Sequence, residues 1–214
     1  IQVEHPVTEL VMGLDLVQWQ LRIAAGERLP FEQQNFSPSG AAIECRITSE
    51  DPSNGFLPST GRITHLHLPS GPGVRWDGGI EAGSEVGLHY DPMLAKLIVH
   101  APTRALAIAR MQRALRELVI VGVETSRGFH LRLLDHPDVQ SGNINIQWLE
   151  SHLDELTGRS ADEQTVQLAA IAAALSAQQD RDVRVPVVNG GAAHETSAPN
   201  GWRAVARRES LRRE

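Results

Sequence analysis

The 214-residue sequence has a single cysteine, no apolar run near the roughly 20 residues of a membrane helix, and no leader with charged, apolar and small-residue zones. Cys45 therefore has no partner for an internal disulfide, which points to a reducing compartment, most simply the cytosol. It lies in an apolar run without a neighbouring base, so a small core residue is expected rather than a nucleophile. Excess positive charge is also lacking. A formal net charge of -6 argues against wrapping nucleic acid or an anionic membrane. The exception is the far end, where Trp202 is followed by Arg203, Arg207, Arg208, Arg212 and Arg213, interrupted by Glu209. No internal repeat is present. An initiator Met is missing too, and Ile1 opens inside an apparent strand, so the chain reads as a piece of a longer protein.

Hydrophobic residues make up 41% of the chain, enough for one large or two small domains with a real core. Ile1–Val3 alternates apolar and polar, and His5-Pro6 breaks it, so a strand end and a turn are expected. Thr8 can cap a short helix to Met12. Asp15 can cap a second, with Val17, Leu21 and Ala24 on the face expected to pack. A loop spans 26–40. Strands are expected at Ala41–Ile47, Gly61–Leu68, Val74–Asp77 and Leu97–His100, and the short turns between them favour antiparallel pairing.

Thr103 caps a helix whose Ala107, Met111, Ala114 and Leu118 keep a spacing of three or four. Further helices are expected at Phe129–Leu134, ending at Asp135-His136-Pro137, and at Trp148–Leu156. Ser160 with Glu163 makes a capping box before an Ala-rich helix to Ala177. Residues 180–200 read as a linker and 201–214 as a strand or interaction arm. The class is α+β.

Two patterns carry chemistry. In an extended Ile1–Glu4 segment, Gln2 and Glu4 share one face and Ile1 and Val3 the other. Alternation alone fits a solvated polar face as well as a site. In Ala41–Ile47, Ile43, Cys45 and Ile47 share one face while Glu44 and Arg46 share the other; such an i, i+2 ion pair, when exposed, contributes under about 1 kcal/mol. His65 and His67 could face a common metal on one strand, yet no third ligand is suitably spaced, so no metal site is expected.

The wording of the sequence is more specific. IQVEHPVTELVMGLDLV followed by AAIECRITSEDP, FLPSTGRI, GPGVRWD, YDPMLAKLIVHAPTRALAIARM, LRELVIVGVET and NINIQWLE closely resembles the biotin carboxylase family over roughly residues 1–150, in unbroken order. NGWRAVARRESLRRE resembles the region that follows this part in acyl-CoA carboxylase alpha subunits. The resemblance implies the end of an ATP-grasp domain over 1–36, a biotin carboxylase C-terminal domain over 37–157 with an antiparallel sheet flanked by helices, a helix and linker over 158–200, and the start of a subunit-interaction region over 201–214.

It implies equally a function: carboxylating biotin on a carrier protein with ATP and bicarbonate. Gln2, the Val3 backbone amide and Glu4 would lie at bicarbonate, with Glu4 as general base. A carboxylate suits that task because it can remove the proton of bicarbonate and sharpen its attack on the γ-phosphate. Arg46 would stabilise the enolate-like biotin oxygen, a role that suits a planar cation that never gives up its proton. Ile146 would pack near adenine, with ordinary core packing as the alternative. The Arg75 segment would lie at a homodimer contact, although a lone Arg beside Trp76 also suits a surface strand.

A Gly-rich phosphate loop and magnesium carboxylates, which phosphoryl transfer needs, are not recognisable in the sequence. In the family they lie upstream, and the Met-Lys-Met biotin attachment core comes after the position of Glu214. The expected partners are thus a biotin carboxyl carrier domain and a carboxyltransferase subunit. A noncatalytic dimerisation or docking module built from the same family is the alternative.

Overall fold

A computed structural model describes residues 1–32, 34, 37–158, 167–168 and 170–175. The chain divides into two units, Ile1–Ser160 and Ala161–Glu214. In the second, residues 167–168 and 170–175 are helical, as the alanine content predicts, and Leu168, Ile171 and Leu175 are exposed. The capping box at Ser160, the linker at 180–200 and the arm at 201–214 lie outside the described residues.

The frame of the first unit is an antiparallel sheet in the order β1 (Ala41–Thr48), β8 (Met93–Ala101) and β6 (Val74–Gly78). Ile43 lies opposite Val99, Cys45 opposite Leu97 and Arg46 opposite Lys96; on the other side of β8, Asp77 lies opposite Lys96. The sheet therefore has two unlike faces. Odd-numbered residues of β1 and β8, among them Cys45, Ile47, Leu97 and Val99, join the apolar core. Glu44, Arg46, Lys96, Arg75 and Asp77 stand on the opposite face. β8 starts four residues earlier than expected, because a central strand buried on both faces reads as a nearly continuous apolar run without a sharp boundary.

The core face is covered by α3 (Arg104–Glu117). Thr103 caps it by accepting the Leu106 N–H at 3.3 Å. Ala107, Met111, Ala114 and Leu118 are buried in the core, as the spacing predicts, and Leu115 joins them. Each large apolar side chain so buried contributes about 1.5–3 kcal/mol. α4 (Arg127–Asp135), α5 (Pro137–Ser141), α6 (Trp148–Ser151) and α7 (Leu153–Thr157) complete the cover. Pro137 does end α4, but it also opens α5, since its fixed φ suits the first turn of a helix. The single helix expected over 148–156 is broken at His152, whose φ of -114° leaves the helical range.

Short ladders surround the sheet: β2 (Glu50–Asp51) with β3 (Leu57–Pro58), β4 (Gly61–Arg62) with β7 (Glu85–Val86), and β5 (His65–His67) with β9 (Val119–Val121). The continuous strand expected over 61–68 is thus two. The segment changes partners at Ile63, which is fully buried and takes the Ser84 carbonyl, while Thr64 takes that of Val121. Gly122 makes the crossing possible: with φ +117° it passes so close to the Arg62 carbonyl that no Cβ fits.

The start of the chain differs from expectation. Ile1–Val3 is not a strand among the described residues, since no neighbour pairs with it and the backbone turns so that the His5 N–H and ring nitrogen meet the Gln2 carbonyl. α1 (His5–Met12) begins before Thr8, with Pro6 in its first turn, and ends at Gly13 in the left-handed region. α2 (Leu16–Ala24) is capped as expected, Asp15 accepting the Gln18 N–H at 2.8 Å. Its predicted packing face is not buried. Leu21 is 68% exposed, and instead Leu16, Trp19 and Ile23 line an open apolar groove with Ile1, Leu14 and Phe31. No helix among the described residues is long and apolar enough to cross a membrane.

Candidate active site

The polar face of the sheet carries charges on all three strands, and α1 lies across it. From the turn before α1, Glu4 reaches Arg46: its Oε2 accepts from Arg46 Nη2 at 3.2 Å. Residues 42 apart in sequence are thereby joined at a site where both side chains remain more than half exposed. Glu44 stands beneath, its Oε1 3.9 Å from Arg46 Nε. Its side chain is only 6% exposed and its second oxygen, Oε2, has no hydrogen-bond partner among the described residues. Burial pushes the Glu44 carboxyl above its ordinary range, against the opposing pull of Lys96 and Arg46.

Lys96 extends the tier, donating to the Val3 carbonyl at 3.4 Å and standing 4.0 Å from Asp77. Arg75 is held from two sides, by both carboxylate oxygens of Asp77 at 2.7 and 2.8 Å and by Glu9 at 2.8 Å. Bonding to Asp77 is the main reason its guanidinium is held even more firmly protonated than usual. Glu9 also accepts the first N–H of α2 from Leu16 at 2.9 Å. One largely buried carboxylate thus fixes α1 to the sheet and sets the start of α2.

The backbone of Arg46 is clamped as well. Its carbonyl, pointing away from β8, accepts from Ser126 Oγ at 3.0 Å and His130 Nε2 at 2.8 Å. Ser126 Oγ also accepts the Thr48 N–H at 3.0 Å. Burial lowers the His130 pKa, which favours the neutral ring that donates here. The arginine head is thus half exposed and paired with Glu4, while its main chain is tied to the start of α4.

Gln2 and Glu4 do not share a strand face; Gln2 is exposed and contributes its carbonyl to the turn. Ile146 is 97% exposed, so core packing does not explain it. Cys45 is buried, and burial pushes its thiol up to about 12, which removes it as a nucleophile. A cleft of about 590 Å³ lies elsewhere, between Asp51–Ser53, β9 and α4. It contains neither Glu4 nor Arg46.

Sequence reasoning missed Glu9, Asp77 and Lys96. A signal existed for Lys96: extending the alternation of β8 by one residue puts it on the face of Arg46. It also missed the meeting of His136 and Asp138 with His152, having read Asp135-His136-Pro137 as a break alone.

A sheet with one charged face crossed by a helix, and an acid and an arginine converging there, defines a class: residues 44–151, half of the chain, match the biotin carboxylase C-terminal domain. The chain belongs to that family. Residues 1–32 match the ATP binding domain of the carbamoyl-phosphate synthase L chain. The chain is 51% identical over 153 residues to biotin carboxylase of Haemophilus influenzae, covering 72% of this chain and 34% of that protein. It is 45% identical over 157 residues to the mitochondrial methylcrotonoyl-CoA carboxylase subunit alpha of Mus musculus, covering 73% and 22%.

Among solved structures it resembles the biotin carboxylase domain dimer of Hydrogenobacter thermophilus 2-oxoglutarate carboxylase, in complex with ADP, its magnesium salt and bicarbonate. The TM-score there is 0.72 at 42% identity, covering 75% of this chain and 35% of that one. The chain spans about a third or less of the length of these relatives.

Proposed function

We propose that this chain supplies the C-terminal part of an ATP-dependent biotin carboxylase, with residues 1–36 completing an ATP-grasp domain and 37–157 forming the C-terminal domain. The observation that carries the reading is the 3.2 Å contact between Glu4 and Arg46 on the charged sheet face. Glu4 would remove the proton of bicarbonate; its exposed carboxylate can exchange Arg46 for a ligand without breaking the core. Gln2 and the Val3 amide would orient the anion. Arg46, anchored through its carbonyl, would stabilise the negative oxygen of deprotonated biotin. Ile146, almost wholly exposed, is free to cover an adenine ring.

ATP with magnesium supplies the phosphoryl group when bound, its metal ligands coming from outside this chain. Biotin would arrive on a carrier domain, and a separate carboxyltransferase subunit would take the product onward. Assembly as a homodimer follows the dimeric relative; Arg75, committed to Glu9 and Asp77, would shape that surface rather than offer a free charge. A reducing, cytosolic setting suits a single buried thiol.

The test is bicarbonate-dependent ATP hydrolysis and biotin carboxylation in a protein that joins this chain to the ATP-binding part of a relative. Glu4→Gln is expected to lower turnover about 10²–10⁴-fold, and Arg46→Ala about 10²–10³-fold. Near-normal turnover in either variant removes that residue's role. The 214-residue chain by itself is expected to show neither activity.

A further inference from the structure

Away from the charged face, the turns around α5 and α6 gather three side chains with metal-binding atoms. His136, Asp138 and His152 each offer one ligand atom, and these atoms lie within 4.8 Å of one another. The fold brings them together: His136 caps α5, Asp138 is in its first turn, and His152 is the break between α6 and α7. Trp148 is the hub of the group. Its Nε1–H donates to Asp138 Oδ2 at 2.9 Å, and its ring stacks on His152 with centroids 4.4 Å apart and meets His136 edge-on at 4.8 Å.

The Trp148 carbonyl accepts from His152 Nδ1 at 2.8 Å. That bond puts the proton on Nδ1 and leaves the Nε2 lone pair of His152 free. A carboxylate held by an indole N–H and an imidazole held by a carbonyl are the outer contacts that orient metal ligands. On His136, Nδ1 accepts the Asp138 N–H at 3.1 Å and stands 3.9 Å from Asp138 Oδ2. A metal ion held by both would displace only that one capping bond, worth about 1 kcal/mol.

We propose that His136, Asp138 and His152 bind one divalent transition-metal ion of zinc-like preference. Two imidazoles and a carboxylate suit Zn²⁺, Co²⁺ or Ni²⁺, whereas Mg²⁺ and Ca²⁺ favour all-oxygen sets. Donors sit about 2.0–2.2 Å from zinc, so side chains whose donor atoms lie within 4.8 Å of one another would rotate inward to close on it. The ion would pin α5 to the α6–α7 junction, and this site is independent of the reading of Glu4 and Arg46.

Titration of the untagged, chelator-treated full chain with Zn²⁺ tests it by calorimetry, with Co²⁺ absorption as a geometric probe. One equivalent is expected to bind saturably. His136→Gln and His152→Gln should each weaken Zn²⁺ by more than the roughly 10–100-fold typical of outer partners, and Trp148→Phe by about that range. A double His65→Gln/His67→Gln variant, altering the exposed pair on β5, should bind as the unaltered chain does. Because the histidines also help pack α6, the Tm of each variant is read with and without Zn²⁺: a rise is expected in the unaltered chain and none in the His136 and His152 variants. Absence of saturable binding, a Co²⁺ spectrum identical to the aqua ion, or an equal Tm rise in all variants would overturn the proposal.

Discussion

α3 and α2 are both amphipathic and both capped by the expected residue, yet α3 buries Ala107, Met111, Ala114 and Leu115 while α2 buries nothing. The apolar period of a helix says which face seeks cover; it does not say whether the described residues supply it. For α3 the cover is the odd-numbered face of β1 and β8. For α2 it is an open groove. α1 is a third case: it buries Pro6 alone and is also tied to the sheet by Glu9 on Arg75.

The contrast can be broken most forcefully in the core. Leu115→Ala on α3 should destabilise the chain by about 2–5 kcal/mol, because a fully buried side chain leaves a cavity behind; denaturant unfolding measures it, and a loss under 1 kcal/mol would mean that α3 is not part of the cooperative core. Removing the caps sharpens the comparison at a smaller scale. Thr103→Ala should lower global stability by about 1 kcal/mol, whereas Asp15→Ala should speed amide exchange in α2 without moving the global midpoint.

Leu21→Ala on the exposed face of α2 should change stability by no more than about 0.5 kcal/mol. The finest test is one of direction. Glu44 has a carboxyl pKa raised above 4.5 in the folded chain, so its charged form opposes folding as pH rises through the raised value, and the penalty is absent below 4.5. Glu44→Gln should therefore be more stable than the unaltered chain at neutral pH, with the difference vanishing on acidification. A difference that grows in acid would reverse the assignment.

The sequence showed most of the frame because its patterns were local. Thr103 and the four-residue spacing behind it define α3, and the alternation in 41–47 separates Cys45 from Arg46. Resemblance alone brings Glu4 and Arg46 together from the sequence; no spacing rule links residues 42 apart. Alternation puts Lys96 on the polar face, but its neighbours Arg46 and Asp77 follow from the register of β8 with β1 and β6, which is a tertiary fact. Ile1–Val3 failed as a strand for a related reason: alternation describes a strand only where a neighbour completes its hydrogen bonds. His136 looked like punctuation since Pro137 follows it, and the same proline turned out to start α5.

The tie between α4 and the Arg46 and Thr48 main chain reaches beyond the arginine. Ser126 and His130 occupy the outer rim of β1 where another extended segment would otherwise lie down. Addition of a visiting strand is thereby blocked at Arg46 and Thr48, and no strand pairs with the outer side of β6 among the described residues. The same few atoms that hold the Arg46 main chain also seam one end of the sheet's edge.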